Sequence, residues 1–125
     1  MPADVVAWKN YIDPDAPRLP VFYVPQGPIP SLPTGQSYFV LCEQSLRGII
    51  KMPLCSDADK SAGLNQKPIW YCRLLVRLPA RPVGEDVEFI LLGTEEPVKK
   101  DARASLYYGL YRCLVALKFT PTVPR

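Results

Sequence analysis

Between Ile69 and Leu78 the chain alternates strictly. Trp70, Cys72, Leu74, Val76 and Leu78 fall on one parity; Tyr71, Arg73, Leu75 and Arg77 fall on the other. A period of two puts these sets on opposite faces of a strand, the first facing a core. Pro79, Pro82 and Gly84 interrupt the pattern, and Asp86–Leu92 resumes it, so the spacing predicts a β-hairpin of Pro68–Leu78 and Asp86–Leu92. The period then changes. Val98, Ala102, Leu106, Gly109, Leu110, Cys113 and Leu117 recur at helical spacing and predict an amphipathic helix from about Glu95 to Leu117. Thr94 is the expected N-cap, with Glu95 and Glu96 at the positive end of the helix dipole.

The first half is less regular. Gln36–Gln44 holds a continuous apolar run, Tyr38–Cys42, and reads as a strand that could be covered on both faces. Gly48–Met52 is a second short apolar run, and polar Ser56–Lys67 reads as a loop. Pro14, Pro17, Pro20, Pro25, Pro28, Pro30 and Pro33 crowd one stretch, where missing N–H donors forbid helix or central strand. About 13–35 is therefore an extended arm with a short strand at Val21–Val24. It either lies on its own subunit or reaches a neighbour. Met1–Ile12 is a short helical turn or a loose terminus. The expected fold class is α+β: one domain over residues 1–125, with a mainly antiparallel sheet of about five strands covered on one face by the C-terminal helix.

Composition adds limits. The chain has 125 residues, 48% of them hydrophobic, which supports one packed core and argues against global disorder. Net charge is +3, mildly basic and compatible with an anionic partner. There is no His. A serine or cysteine nucleophile thus lacks its usual base, and the carboxylates cluster in turns and at the helix start. No enzyme, catalytic residue, cofactor or small-molecule substrate is expected. Cys42, Cys55, Cys72 and Cys113 form no CxxC pair, so no metal site is expected; Cys55 is the loop cysteine and the others sit in apolar runs. Nothing resembles a signal peptide or a span of roughly 20 apolar residues, so a reducing compartment is expected rather than secretion or membrane insertion.

The positive signal is basic and aromatic. Arg73, Arg77 and Arg81 follow one strand face and its turn, with Tyr71 beside them; Lys99, Lys100 and Arg103 open the helix, with Tyr107 and Tyr111 above. Guanidinium groups pair with phosphates and exposed rings stack on unpaired bases. These residues are the candidate surface for single-stranded RNA or an anionic membrane. Pro121-Thr122-Val123-Pro124 is close to a Pro-Thr/Ser-Ala-Pro budding signal, with Val in place of Ala.

The strand Phe89–Leu92, a helix through Lys100, Ala102 and Tyr108, the apolar end Leu114–Phe119 and a proline-containing tail occur in an order that resembles the small matrix proteins of bornavirus-like negative-strand RNA viruses. The resemblance covers roughly the last third of the chain. It implies a sheet-plus-helix subunit that forms a homo-oligomer, binds single-stranded RNA and acts in the cytoplasm or on the inner membrane face of an infected cell. Two alternatives stand beside it: a small RNA-binding regulator, and a protein-interaction adaptor working through the proline-rich arm.

Overall fold

The computed structural model describes residues 4–32, 35–59, 67–80 and 84–119. Arg81, the tail at 120–125 and most of the segment read as a loop lie outside the described residues. Among the described residues seven elements follow in order: β1 (Val6–Ala7), β2 (Val21–Tyr23), α1 (Tyr38–Leu46), β3 (Ser56–Asp59), β4 (Trp70–Leu78), β5 (Val87–Leu92) and α2 (Lys99–Ala116). The fold is α+β, with one five-stranded sheet in the order β1-β2-β5-β4-β3 and α2 packed on it. The sheet is mixed rather than purely antiparallel: β2 runs parallel to β5, while the other three pairs among the described residues are antiparallel.

The hairpin forms as its alternation predicts, with Arg73 opposite Leu92 and Leu78 opposite Val87. Its central strand explains the apolar run at its end. Phe89 and Leu91 face α2, whereas Ile90 and Leu92 pack on the other side with Val21. Both faces are covered, so no polar position interrupts Phe89–Leu92.

Three readings are corrected. Gln36–Gln44 is not a strand. Ser37 accepts a hydrogen bond from the Val40 N–H at 3.2 Å as an N-cap, and α1 follows, ending before Gly48 at φ +79°. Cys42, Ser45 and Leu46 are buried at helical spacing against α2. The polar stretch beginning at Ser56 is an edge strand, β3, where charged side chains suit an edge. Residues 6–7 are a strand paired with β2, not a helical turn.

α2 starts later than Thr94. Glu96 is held in a two-way backbone pairing with Trp70, at 2.7 and 2.8 Å, and the following Pro97 disfavours a helical conformation at Glu96. Val98 is therefore the N-cap, without a side-chain cap bond. Thr94 is buried instead, its N–H donating to Ser105 Oγ at 2.8 Å. At the other end Lys118 adopts φ 66°. Its N–H bonds the Val115 carbonyl and that of Phe119 bonds the Leu114 carbonyl, closing the helix as a Schellman motif with a lysine where glycine is usual.

The core lies between the sheet and the two helices, around Phe89, Leu91, Leu74, Val76, Leu106, Leu110 and Leu114. Helix and sheet approach closely at Gly109, where a Cβ would stand 2.4 Å from Val24 Cγ2. The second sheet face is covered by the proline-rich arm and the residues just before it: Ala16 and Leu19 of the arm, with Tyr11, pack on Val21, Ile90 and Leu92. Among the described residues no helix is long and apolar enough to cross a membrane.

Candidate functional site

Among the described residues, the basic and aromatic side chains singled out by sequence do not form one surface. Period two sends Arg73 and Arg77 to the arm-covered face, while Lys99, Lys100 and Arg103 belong to α2 on the opposite side. Most of the cations have internal partners. Arg73 pairs with buried Asp13, its Nε on Oδ2 and its Nη2 2.6 Å from Oδ1. Arg103 donates from Nε to both Asp57 oxygens at 3.1 Å and pairs with the same carboxylate through Nη2. Arg77 lies 3.7 Å from Glu88, and Lys99 Nζ sits 4.2 Å above the Trp70 ring. Lys100 is exposed at the start of α2.

The tyrosines differ in the same way. Tyr107 is not on an exposed flank but 5% exposed, its hydroxyl donating to the Pro53 carbonyl at 3.4 Å. Tyr111 is half-buried and leans on Tyr38. Tyr71, by contrast, lines a cleft.

That cleft, of about 830 Å³, lies at the end of the sheet. It opens where the parallel strands β2 and β5 terminate, beside Tyr23 and Leu92, with Tyr71 at the adjoining start of β4. Ends of parallel strands are a favourable place for a ligand, because the chain leaves the sheet and side chains frame a crevice. Four rings line it: Trp8, Tyr11, Tyr23 and Tyr71. Trp8 is the hub, with ring centroids 5.1 Å from Tyr11 and 5.5 Å from Tyr23, and it stays 44% exposed. Pairing of β1 with β2 places Trp8 there; its N–H bonds the Val21 carbonyl at 2.8 Å.

The opposite rim is polar. The Gln26 side-chain amide bridges the backbone of Glu95, donating to its carbonyl at 3.1 Å and accepting from its N–H at 3.3 Å. Asn10 and Thr94 also line the cleft. Among the described residues of its lining, Lys9 and Glu95 are the charged ones, one of each sign, so these walls carry no net charge. Behind them, the salt bridge to Arg73 holds the Asp13 carboxyl below the usual carboxylate range, with help from the N–H groups of Asp15 and Ala16. Burial raises the Tyr11 hydroxyl above its ordinary value, so it stays a neutral donor at physiological pH.

A second grouping lies on the helix side of the β3–β4 edge. Cys55 Sγ, Cys72 Sγ and an Asp57 carboxylate oxygen lie within 4.8 Å of one another. The sequence contains no metal-ligand spacing, yet strand pairing assembles these three. Compared with known proteins, the chain matches no family model, no curated protein and no solved structure.

Proposed function

We propose that this chain is a non-catalytic protein-interaction module whose aromatic cleft binds an extended, proline-rich segment of a partner protein. The single observation that carries the reading is a ring-lined crevice without net charge. Proline-rich peptides in the polyproline II conformation dock on aromatic grooves, and their free carbonyls take hydrogen bonds from neighbouring side chains. Trp8, Tyr11, Tyr23 and Tyr71 supply the rings; Gln26 and Asn10 supply amides. The charge balance favours this ligand over a nucleic acid. A single lysine in the lining neutralises about one phosphate, whereas tight electrostatic binding draws on several.

Single-stranded RNA is the second reading. It is favoured by the same four rings, on which bases stack, and by Lys9 in the lining. A matrix-type assembly role, in which homo-oligomers bind RNA or an anionic membrane inside an infected cell, belongs to this second reading.

Fluorescence anisotropy separates the two. A short labelled polyproline peptide is expected to bind, and Trp8→Ala is expected to weaken it by about 10-fold or more, the loss for an aromatic anchor that the partner covers. A labelled oligouridylate and vesicles containing acidic lipid are the comparison arms. Binding to these, steeply reduced by salt and absent for the peptide, overturns the leading reading in favour of the second.

A further inference from the structure

We propose that Cys55, Asp57 and Cys72 form a binding site for one divalent transition metal ion of the zinc class, independent of the aromatic cleft. The register of the β3–β4 pair builds it. Asp57 stands directly opposite Cys72, so both side chains leave the sheet on the same face. Cys55 precedes Asp57 by two residues and comes to that face by the same alternation. Cys72 Sγ is already 3.1 Å from Asp57 Oδ1.

The spacing fits an ion. With metal–sulfur bonds of about 2.3 Å and metal–oxygen bonds of about 2.0–2.2 Å, two thiolates on a tetrahedral centre stand about 3.8 Å apart. All three ligand atoms lie within 4.8 Å of one another, so closure needs movements of no more than about 1 Å. Thiolate donors select a borderline or soft cation over magnesium or calcium. Cys72 is buried and Cys55 half-buried, so the cluster lies at the margin of the core, where one ligand still meets solvent. Three protein ligands would leave the fourth tetrahedral position to a water.

The charges also close. Binding M²⁺ to two thiols and one carboxylate releases two protons and leaves a complex of charge −1. Arg103, paired with Asp57, brings the site to neutrality. The same guanidinium orients the carboxylate, as outer partners of metal ligands do. Tyr107 walls the inner side; the Cys55 N–H donates to its hydroxyl at 3.4 Å. A bound ion would clasp the edge strand β3 to β4 beneath α2.

Cobalt(II) tests this, because thiolate ligation gives an intense charge-transfer absorption that oxygen ligation does not. The full chain, reduced with a phosphine and stripped with a chelator, is titrated with Co²⁺. One equivalent is expected to produce the band, and Zn²⁺ is expected to displace it. Cys55→Ser should lose it, Asp57→Asn should weaken binding at least 10-fold, and Cys42→Ser, outside the cluster, should leave it unchanged. Cys55 is less buried than Cys72, so its replacement keeps the test decisive if Cys72→Ser fails to fold. No thiolate band at excess Co²⁺ overturns the proposal, as does a band that survives Cys55→Ser. Closure of the two cysteines to a disulfide in air, with no metal taken up by the reduced protein, overturns it as well.

Discussion

Arg73, in the middle of the sheet, is paired in bidentate fashion with Asp13, sixty positions earlier in the proline-rich arm. Asp13 is fully buried. This contact fastens the arm across the second face of the sheet and so helps form the wall of the aromatic cleft.

Removing the carboxylate should therefore loosen the arm. Asp13→Asn is expected to cost about 3 kcal/mol, the low end for breaking a buried ion pair, because Arg73 keeps 24% side-chain exposure and can partly rehydrate. The pH dependence has a definite sign. Asp13 has a depressed folded-state pKa, so its contribution is fully present above the unfolded value of about 3.9 and is lost as pH falls through the lower folded value. Chemical denaturation between neutral and strongly acidic pH checks this. The wild type should lose stability below about pH 4 by more than Asp13→Asn does.

The contact between α2 and the sheet should be sensitive in both directions. Leu106 is completely buried, and Leu106→Ala is expected to cost about 2–5 kcal/mol. Gly109→Ala should also destabilise. The helix gains up to about 1 kcal/mol from alanine, but the new methyl collides with Val24 and overpacking costs about 1–3 kcal/mol. Thermal melts of both variants are the check; a rise in Tm for Gly109→Ala would contradict the close approach.

The C-terminus of α2 offers the opposite sign. Lys118 sits at φ 66°, a conformation that costs a side-chain-bearing residue roughly 1–2 kcal/mol. Lys118→Gly is expected to stabilise the fold by about 0.5–1 kcal/mol after the larger entropy of glycine in the unfolded chain is subtracted. The denaturation midpoint should rise with no change in slope.

The hairpin and α2 were legible because each rests on a local period. The Trp70–Leu78 alternation and the Ala102–Leu106–Gly109–Cys113 spacing each state their own geometry. α1 was not legible from hydropathy, because Tyr38–Cys42 contains no polar position to reveal a helical face. The Ser37 cap and Gly48 were the available signals. The candidate sites lay beyond such reading for a different reason. Trp8, Tyr23 and Tyr71 meet only through the order β1-β2-β5-β4, and the parallel pairing of β2 with β5 has no local signature. Cys55, Asp57 and Cys72 meet only if residues 56–59 form a strand, and their polar sequence resembles a loop. The arginines looked free because their partners, Asp13 and Asp57, come from distant segments.

If the basic residues act mainly within the fold, reversing an exposed one should leave ligand binding intact. Lys100→Glu is expected to change peptide affinity by less than 2-fold, since exposed charges contribute about 0–1 kcal/mol and Lys100 lies away from the cleft. Anisotropy titration at moderate salt measures this.

The two tryptophans provide the most direct test of the cleft. Trp8 lines it, whereas Trp70 lies beneath Lys99 on the helix side. Their two indole N–H signals are followed by NMR while a polyproline peptide is added. The proposed function requires the Trp8 signal to shift and saturate while the Trp70 signal stays in place. Movement of Trp70 alone, or of neither indole at saturating peptide, would contradict it.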